Sequence, residues 1–333
     1  MRSAPAQPPR DEDPARPGGA RPLVAGTGGD AGVAAALLPG KLAEVDADVG
    51  PVGDTGRTWR RRLAYVLLVA YALLMFVPFA WTVITSFKTL PDSTRLTVIP
   101  DPFTVRPWEF VFTELEPNVV VLFTNSFAIA LVVTITNLVL GSLAGYAFAR
   151  LRFPGRAILF LLVLATLMIP DQLRMVPIYV LFNGLGLTRG FLQYAGVVLV
   201  LAISATSVFL LRQYFITIPK DLEEAARIDG AGFFTTFRKV MLPLATPALA
   251  AVTILQFQGT WNGLFWPAVL LSTDQDKWTL PLGLTMFRLT GGFGRDWPPL
   301  MAVVVLATIP ILVLYIFFQR YFVEGVAASG VKG

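Results

Sequence analysis

Six apolar runs separated by polar segments dominate the chain, at residues 63–87, 122–149, 157–180, 191–211, 244–270 and 299–318. A helix needs roughly 20 apolar residues to cross the hydrocarbon of a bilayer, and every run is long enough. Five of the six contain no Asp, Glu, Lys or Arg. The third carries Asp171 and Arg174 just after Pro170, which places both at its outer end. The longer runs should tilt or extend past the hydrocarbon. The pattern predicts an all-α polytopic membrane protein with six transmembrane helices.

The polar flanks set the expected orientation, because Lys and Arg near helix ends stay in the cytoplasm. Arg57, Arg60, Arg61 and Arg62 precede the first run, and Arg150, Arg152 and Arg156 crowd the very short second loop. The fourth loop holds Arg212, Lys220, Arg227, Arg238 and Lys239. The opposite loops carry Lys88, Arg95 and Arg106, then Arg174 and Arg189, then Lys277, Arg288 and Arg295, spread over longer segments. In the first of these, Asp92, Asp101, Glu109, Glu114 and Glu116 outnumber the bases. The expectation is a multi-pass protein of the cell membrane, surrounded by lipid, with both termini and the fourth loop cytoplasmic.

Composition narrows the chemistry. Hydrophobic residues make up 55% of the 333 and charged residues 15%, against roughly 25% charged in soluble domains. The chain has neither Cys nor His, which excludes disulfides, thiolate metal sites, cysteine nucleophiles and histidine acid-base chemistry. Its net charge of +5 lies beside the apolar runs, so it reads as topological anchoring and not as a nucleic-acid surface. No metal, cofactor or catalytic residue is expected.

Residues 1–58 are rich in Ala, Gly, Pro, Arg and Asp, with one short apolar run at 33–38. Such a segment cannot bury enough surface to offset its ordering entropy, so the expectation is a disordered cytoplasmic tail. It lacks the order of a signal peptide and should be retained. Within it, residues 26–31 (Gly-Thr-Gly-Gly-Asp-Ala) fit a loose dinucleotide fingerprint, with Asp46 and Asp48 downstream. The required strand and helix are missing, so linker is the better reading. No GxxxxGK[ST] occurs anywhere, so the chain supplies no P-loop ATPase of its own. The remaining residues, 59–333, form the expected membrane domain, with a core at about 121–320 and a polar loop at 212–243.

That loop can be read physically. Pro219 suits the first turn of a helix, where its missing N–H costs nothing. Asp221, Glu223 and Glu224 then sit at the positive end of the helix dipole, and Arg227 follows Glu223 by four residues as a helical ion-pair partner. Ala225 and Ala226 favour helix and let a partner's surface approach closely. Gly230 permits the left-handed turn that stops the helix. Phe233, Phe234 and Phe237 begin a second helical stripe, and Pro243 introduces the next span. A loop lying flat on lipid headgroups is the plainer alternative. Its acidic first turn disfavours that, since cytoplasmic leaflets are anionic.

The same residues carry a resemblance. Glu224-Ala225-Ala226, three residues, Gly230, nine residues, Val240, one residue and Leu242-Pro243 are similar to the EAA signature of permease subunits in binding-protein-dependent ABC importers, with Val240 where Ile is usual. In that family the loop is the socket for a separate ATPase, which implies coupling roles for Glu223, Glu224, Ala225, Ala226, Asp229, Gly230, Leu242 and Pro243. The resemblance implies the type I importer fold, a second homologous permease subunit, two ATP-binding subunits using ATP and Mg, and an extracytoplasmic solute-binding protein. No catalysis by this chain is implied.

A second resemblance bears on the solute. Residues 317–326 (Phe-Phe-Gln-Arg-Tyr-Phe-Val-Glu-Gly-Val), the terminal Ser329-Gly330-Val331-Lys332-Gly333, and Trp261-Asn262 followed by Leu264-Phe265-Trp266-Pro267 are similar to maltose-type carbohydrate permeases. Asn125-Ser126, residues 146–150 (Tyr-Ala-Phe-Ala-Arg) and Phe153-Pro154-Gly155 also look family-like. The family commonly has an acidic residue after Trp-Asn; here Gly263 stands in that place, and no polar role transfers to it.

Within the runs, Asn125, Thr134, Asn137, Gln193, Gln256, Gln258 and Asn262, with Trp261 and Trp266, offer amides for hydroxyls and aromatic faces for sugar rings. The alternative is that the amides join helix to helix and the aromatics only pack. Gly141, Ser142, Ala144 and Gly145 read as a close-packing stripe. Gln258, Trp261, Asn262, Gly263 and Trp266 are the candidate lining of a translocation pathway, since Gln258 shares a helical face with Trp261 and with Asn262. The expected function is a permease subunit for a sugar or oligosaccharide. An ABC permease for amino acids, peptides or another small polar solute is the alternative. A secondary transporter is disfavoured because the runs lack the ionisable groups that mark ion pathways, and a non-transporting scaffold would have no need of the loop signature.

Overall fold

The computed structural model describes residues 55–290 and 296–330, with side chains described over 59–289 and 296–319. The tail up to Asp54 lies outside the described residues. The chain divides into two units, Met1–Tyr71 and Ala72–Gly333. All regular structure among the described residues is helical.

In the first unit the described segment belongs to α1 (Thr55–Thr85) and exposes every side chain over 59–71. Arg61 lies over the Tyr65 ring, 5.8 Å from its centre. A helix so apolar and so uncovered by protein needs lipid or a partner around it.

In the second unit α2 (Leu90–Ser93) and α3 (Arg106–Thr113) lead to α4 (Val119–Arg150), the long central helix. Asn118 starts α4 by accepting from the N–H groups of Val120 and Val121 at 3.1 and 3.2 Å. Next come α5 (Arg156–Ala165), a 3₁₀ turn (Thr166–Met168), α6 (Asp171–Gly184), α7 (Leu192–Leu201) and α8 (Ala205–Thr217). The polar loop forms α9 (Asp221–Ile228) and α10 (Phe233–Thr236), which runs through a π turn (Phe237–Met241) and Leu242–Leu244 into α11 (Thr246–Trp261). Finally α12 (Phe265–Leu270), a 3₁₀ turn (Gln275–Lys277), α13 (Leu280–Thr290) and α14 (Trp297–Gly330) complete the unit.

Among the described residues three helices are long and apolar enough to cross a membrane, and up to six if each of three bent pairs is one span. The bends are the main departure from the sequence reading. The third run breaks by 103° between α5 and α6, and the fourth by 45° between α7 and α8. The fifth does not continue to Leu270. Its helix ends at Trp261, α12 restarts at Phe265, and α10 meets α11 at 76°. Proline explains the first break, because Ile169 ahead of Pro170 takes extended backbone (φ −93°, ψ 111°) and the helix cannot pass through it.

The helix pairing of α4 with α8 is the most extensive, followed by α4 with α11. The small-residue stripe makes the first possible. A Cβ on Gly145 would lie 2.9 Å from the Arg212 backbone nitrogen, and one on Gly141 3.1 Å from Ser207 Cβ. The larger apolar cluster joins α4 to α11, α12, α13 and α14 around Leu122, Trp261, Trp266 and Leu282. The smaller one gathers Tyr146, Leu211, Phe215, Phe237 and Met241 beside α9.

Three amides bind helix to helix. Asn125 donates to Asp276 O (2.8 Å) and Trp278 O (3.1 Å) and accepts from the Tyr194 hydroxyl. Gln193, buried, donates to Leu270 O and accepts from Lys277 Nζ at 2.9 Å. Lys277 also bonds Asp274 at 2.6 Å, and that hydrogen bond holds the Asp274 carboxyl below its ordinary range against the opposing effect of partial burial. Asn137 bridges the break between α7 and α8.

Candidate functional site

The polar segment proper begins at Ile218, because α8 runs on to Thr217. Helix α9 opens with Asp221, Glu223 and Glu224 in its first turn, complementing the dipole. Gly230 closes it with φ +81°. The Ala231 N–H reaches Ala226 O at 2.9 Å and the Gly230 N–H reaches Arg227 O at 3.0 Å. This is a Schellman stop, whose left-handed residue strongly favours glycine. A Cβ at Gly230 would meet no neighbour, so the constraint is the backbone angle alone.

The two glutamates face different surroundings. Glu224 is exposed together with Ala225, Asp229 and Gly230, while Ala226 is half-buried. Glu223 is buried and pairs with Arg150 at the end of α4, Nε to Oε1 at 2.7 Å, with both side chains under a tenth exposed. The expected helical pair with Arg227 is therefore replaced by a tertiary one. The contact is ionic more than directional, since neither atom completes a hydrogen bond. Arg150 also donates to Ile218 O, and the rings of Phe215, Phe233 and Phe237 pack on Tyr146 one turn earlier in α4. Helix α9 is thus fastened to the end of the central helix.

The outer face of the segment formed by α9 and α10 is more apolar than the sequence suggested. Ile228 is 87% exposed and Phe234 64%, with Leu222 and Phe233 also exposed. Phe237 from the expected aromatic stripe turns inward and is buried. Leu242 is half-buried and Pro243 exposed, at the entry to α11. Apolar side chains held open among charges mark a contact surface more than a solvated loop.

A second feature is a cleft of about 570 Å³. Backbone outside the helices reaches it from three runs: Ile169 and Pro170 at the 103° break in the third, Ile203 and Ser204 at the 45° break in the fourth, and Gly263 and Leu264 in the gap between α11 and α12 of the fifth. The 76° bend between α10 and α11 lies away from it. At membrane depth, backbone outside a helix is tolerated where it lines a cavity or is buried in protein, so the convergence is informative. The face of α11 turned to the cleft carries Gln256, Gly259 and Thr260 at helical spacing, with Gly263 just beyond the end of the helix.

The candidate lining read from the sequence divides accordingly. Gly263 and Trp266 line the cleft. Gln258 and Asn262 are exposed on another face of α11. Trp261 is 1% exposed, donates its indole N–H to Ala307 O at 3.0 Å, and packs against Phe257 and Phe123. The indole can be buried because α14 supplies the acceptor that its N–H needs. Sequence reasoning missed Thr260, Ser204 and Thr279 and gave no pathway role to Asp171 and Arg174. Their signal was available in the Gln256-Gly259-Thr260-Gly263 spacing and in Pro170.

Comparisons with known proteins agree with this architecture. The profile of the family described as binding-protein-dependent transport system inner membrane component matches residues 137–328. The arabinooligosaccharides transport system permease protein AraQ of Halalkalibacterium halodurans is 38% identical over 277 residues, covering 81% of this chain and 97% of that protein. The diacetylchitobiose uptake system permease protein NgcG of Streptomyces coelicolor is 34% identical, over 78% of this chain and 84% of the other. Among solved structures, a chain from a bacterial ABC transporter involved in the import of the acidic polysaccharide alginate superposes with a TM-score of 0.69 at 25% identity, over 82% of this chain and all of that one.

Proposed function

We propose that this chain, which belongs to the family of binding-protein-dependent transport system inner membrane components, is the membrane-spanning permease subunit of an ATP-driven importer of sugars or oligosaccharides. The observation that carries the coupling role is α9: a helix stopped by a left-handed Gly230, exposing Ile228 and Glu224, and fastened through Glu223 to Arg150. A separate ATPase subunit docks on that exposed face from the cytoplasm. ATP-driven closure of two such subunits moves α9, and the ion pair passes the movement to α4. A second permease subunit completes the membrane pathway, and an extracytoplasmic binding protein delivers the solute. The cleft lined by non-helical backbone of the third, fourth and fifth runs is this chain's part of the pathway. Rigid-body movement of the helices around it alternates access between the two sides.

The test is Gly230→Val. A β-branched residue does not tolerate φ +81°, and the left-handed region alone costs about 1–2 kcal/mol for a residue with a Cβ. Insertion and abundance should persist, while uptake and solute-stimulated ATP hydrolysis fall at least about tenfold, the consequence of a misplaced docking helix. Normal uptake at normal abundance would remove the docking role.

A further inference from the structure

The cleft contains one pair of charges. Asp171 opens α6 and accepts from Arg174 one turn later. Among the described residues that line the cleft these two alone are charged, so its walls sum to zero. Each side chain is about two-fifths exposed, open enough for a solute to reach both.

Other polar groups in the cleft lack partners. The Thr279 side chain is buried and its hydroxyl has no hydrogen bond within the protein, and Arg174 Nε is likewise buried and unpaired. Buried polar atoms are seldom left unsatisfied, and each such case calls for an explanation. Gln256 and Thr260 add an amide and a hydroxyl from α11. Carboxylate acceptors, guanidinium donors, an amide and hydroxyls suit a solute that both donates and accepts many hydrogen bonds. The volume is that of a small-molecule site.

Resting on the pathway reading above, we propose that this cleft selects a neutral, hydroxyl-rich solute, and that Asp171 enforces neutrality by cancelling the charge of Arg174. An anionic solute would have to displace Asp171 from Arg174 and then lie beside the released carboxylate. A neutral polyol bonds to both members without separating them. The fold does not dictate this choice, since the structurally similar alginate transporter is described as importing an acidic polysaccharide. In this chain the choice resides in one ion pair.

The chain has no native cysteine, so the field in the cleft can be read from a single thiol. Gln256→Cys is introduced in the full transporter complex and treated with anionic sulfonatoethyl and cationic trimethylammonioethyl methanethiosulfonate. The rates are normalised to those with a free thiol in solution. Their ratio cancels the reactivity of the thiol itself and leaves the local potential. With the native pair the normalised ratio should lie near one. Asp171→Asn should shift it toward the anion by roughly three- to thirtyfold, the scale of one unbalanced charge several ångströms away. Arg174→Gln should shift it comparably toward the cation. The double variant D171N/R174Q should return the ratio to near one and recover uptake lost in either single variant. If the pair served only to hold α6 in place, uptake would follow the abundance and stability of each variant and not the sign of the charge left in the cleft. A native ratio strongly favouring either ion, or a ratio indifferent to both single variants, would overturn the neutrality inference while leaving the pathway intact. A thiol inert to both reagents in every nucleotide state would overturn the pathway reading itself, and this inference with it.

Discussion

Glu223 and Glu224 are neighbours in sequence and opposites in environment. The sequence places both in the first turn of an amphipathic helix and identifies Gly230 as its stop, and the +81° angle at Gly230 bears that out. The partner of Glu223 was not legible, because Arg150 lies more than seventy residues earlier and only the fold of α4 against α9 brings it within 2.7 Å. A buried ion pair gains little net stability over apolar packing, but removing one member leaves an uncompensated charge at about 3–5 kcal/mol. Glu223→Ala and Arg150→Ala should therefore each loosen α9 and lower the amount of solute moved per ATP hydrolysed. The exchanged pair E223R/R150E should recover part of that ratio. If the single variants transport at the native stoichiometry, α9 is held by its aromatic contacts and the pair carries no force.

The six apolar runs were legible as elements, but their continuity was not. The break before Asp171 is visible in the sequence as Pro170, whose effect on the residue before it is local. The break between α7 and α8 has no such mark, since Ala202-Ile203-Ser204 contains neither Pro nor Gly. It is held from another helix. Asn137, fully buried in α4, donates to Leu201 O at 2.8 Å and accepts from Ser204 N at 2.7 Å and from the Ser207 hydroxyl. One amide thereby pairs with a carbonyl on one side of the break and an N–H on the other. The end of the fifth helix at Trp261 is marked locally by Asn262-Gly263, a pair that favours a turn, whereas the burial of the Trp261 indole depends on a tertiary bond to Ala307 that no local pattern shows. Asn137→Leu should orphan the Leu201 carbonyl and the Ser204 N–H at about 1–3 kcal/mol each. The variant should show a lower unfolding midpoint in detergent, and Asn137→Asp, which keeps only the acceptor, should fall between it and the native protein. An unchanged midpoint for Asn137→Leu would mean that the break is fixed by packing alone.

At the scale of the whole molecule, the spans and the positions of Lys and Arg fix how the protein should lie in its membrane. The short loop between α4 and α5 carries Arg150, Arg152 and Arg156, and the α9 segment carries Lys220, Arg227, Arg238 and Lys239. Both meet the same end of α4, where Glu223 pairs with Arg150. Charge in the sequence and contact in the fold both put these loops at one end of α4, and from the bias of bases toward the cytoplasm we expect this to be the inner side. If the bent α10–α11 pair forms one span, a single crossing separates α9 from the Gln275–Lys277 turn. The absence of native cysteine allows a direct check. Ile228→Cys and Gln275→Cys both occupy exposed positions. A membrane-impermeant maleimide should label Gln275→Cys in intact spheroplasts and Ile228→Cys only in inverted vesicles. Labelling of both from one face would break the single crossing between them. The reversed pattern would place the docking helix outside the cell, where no ATPase could drive it.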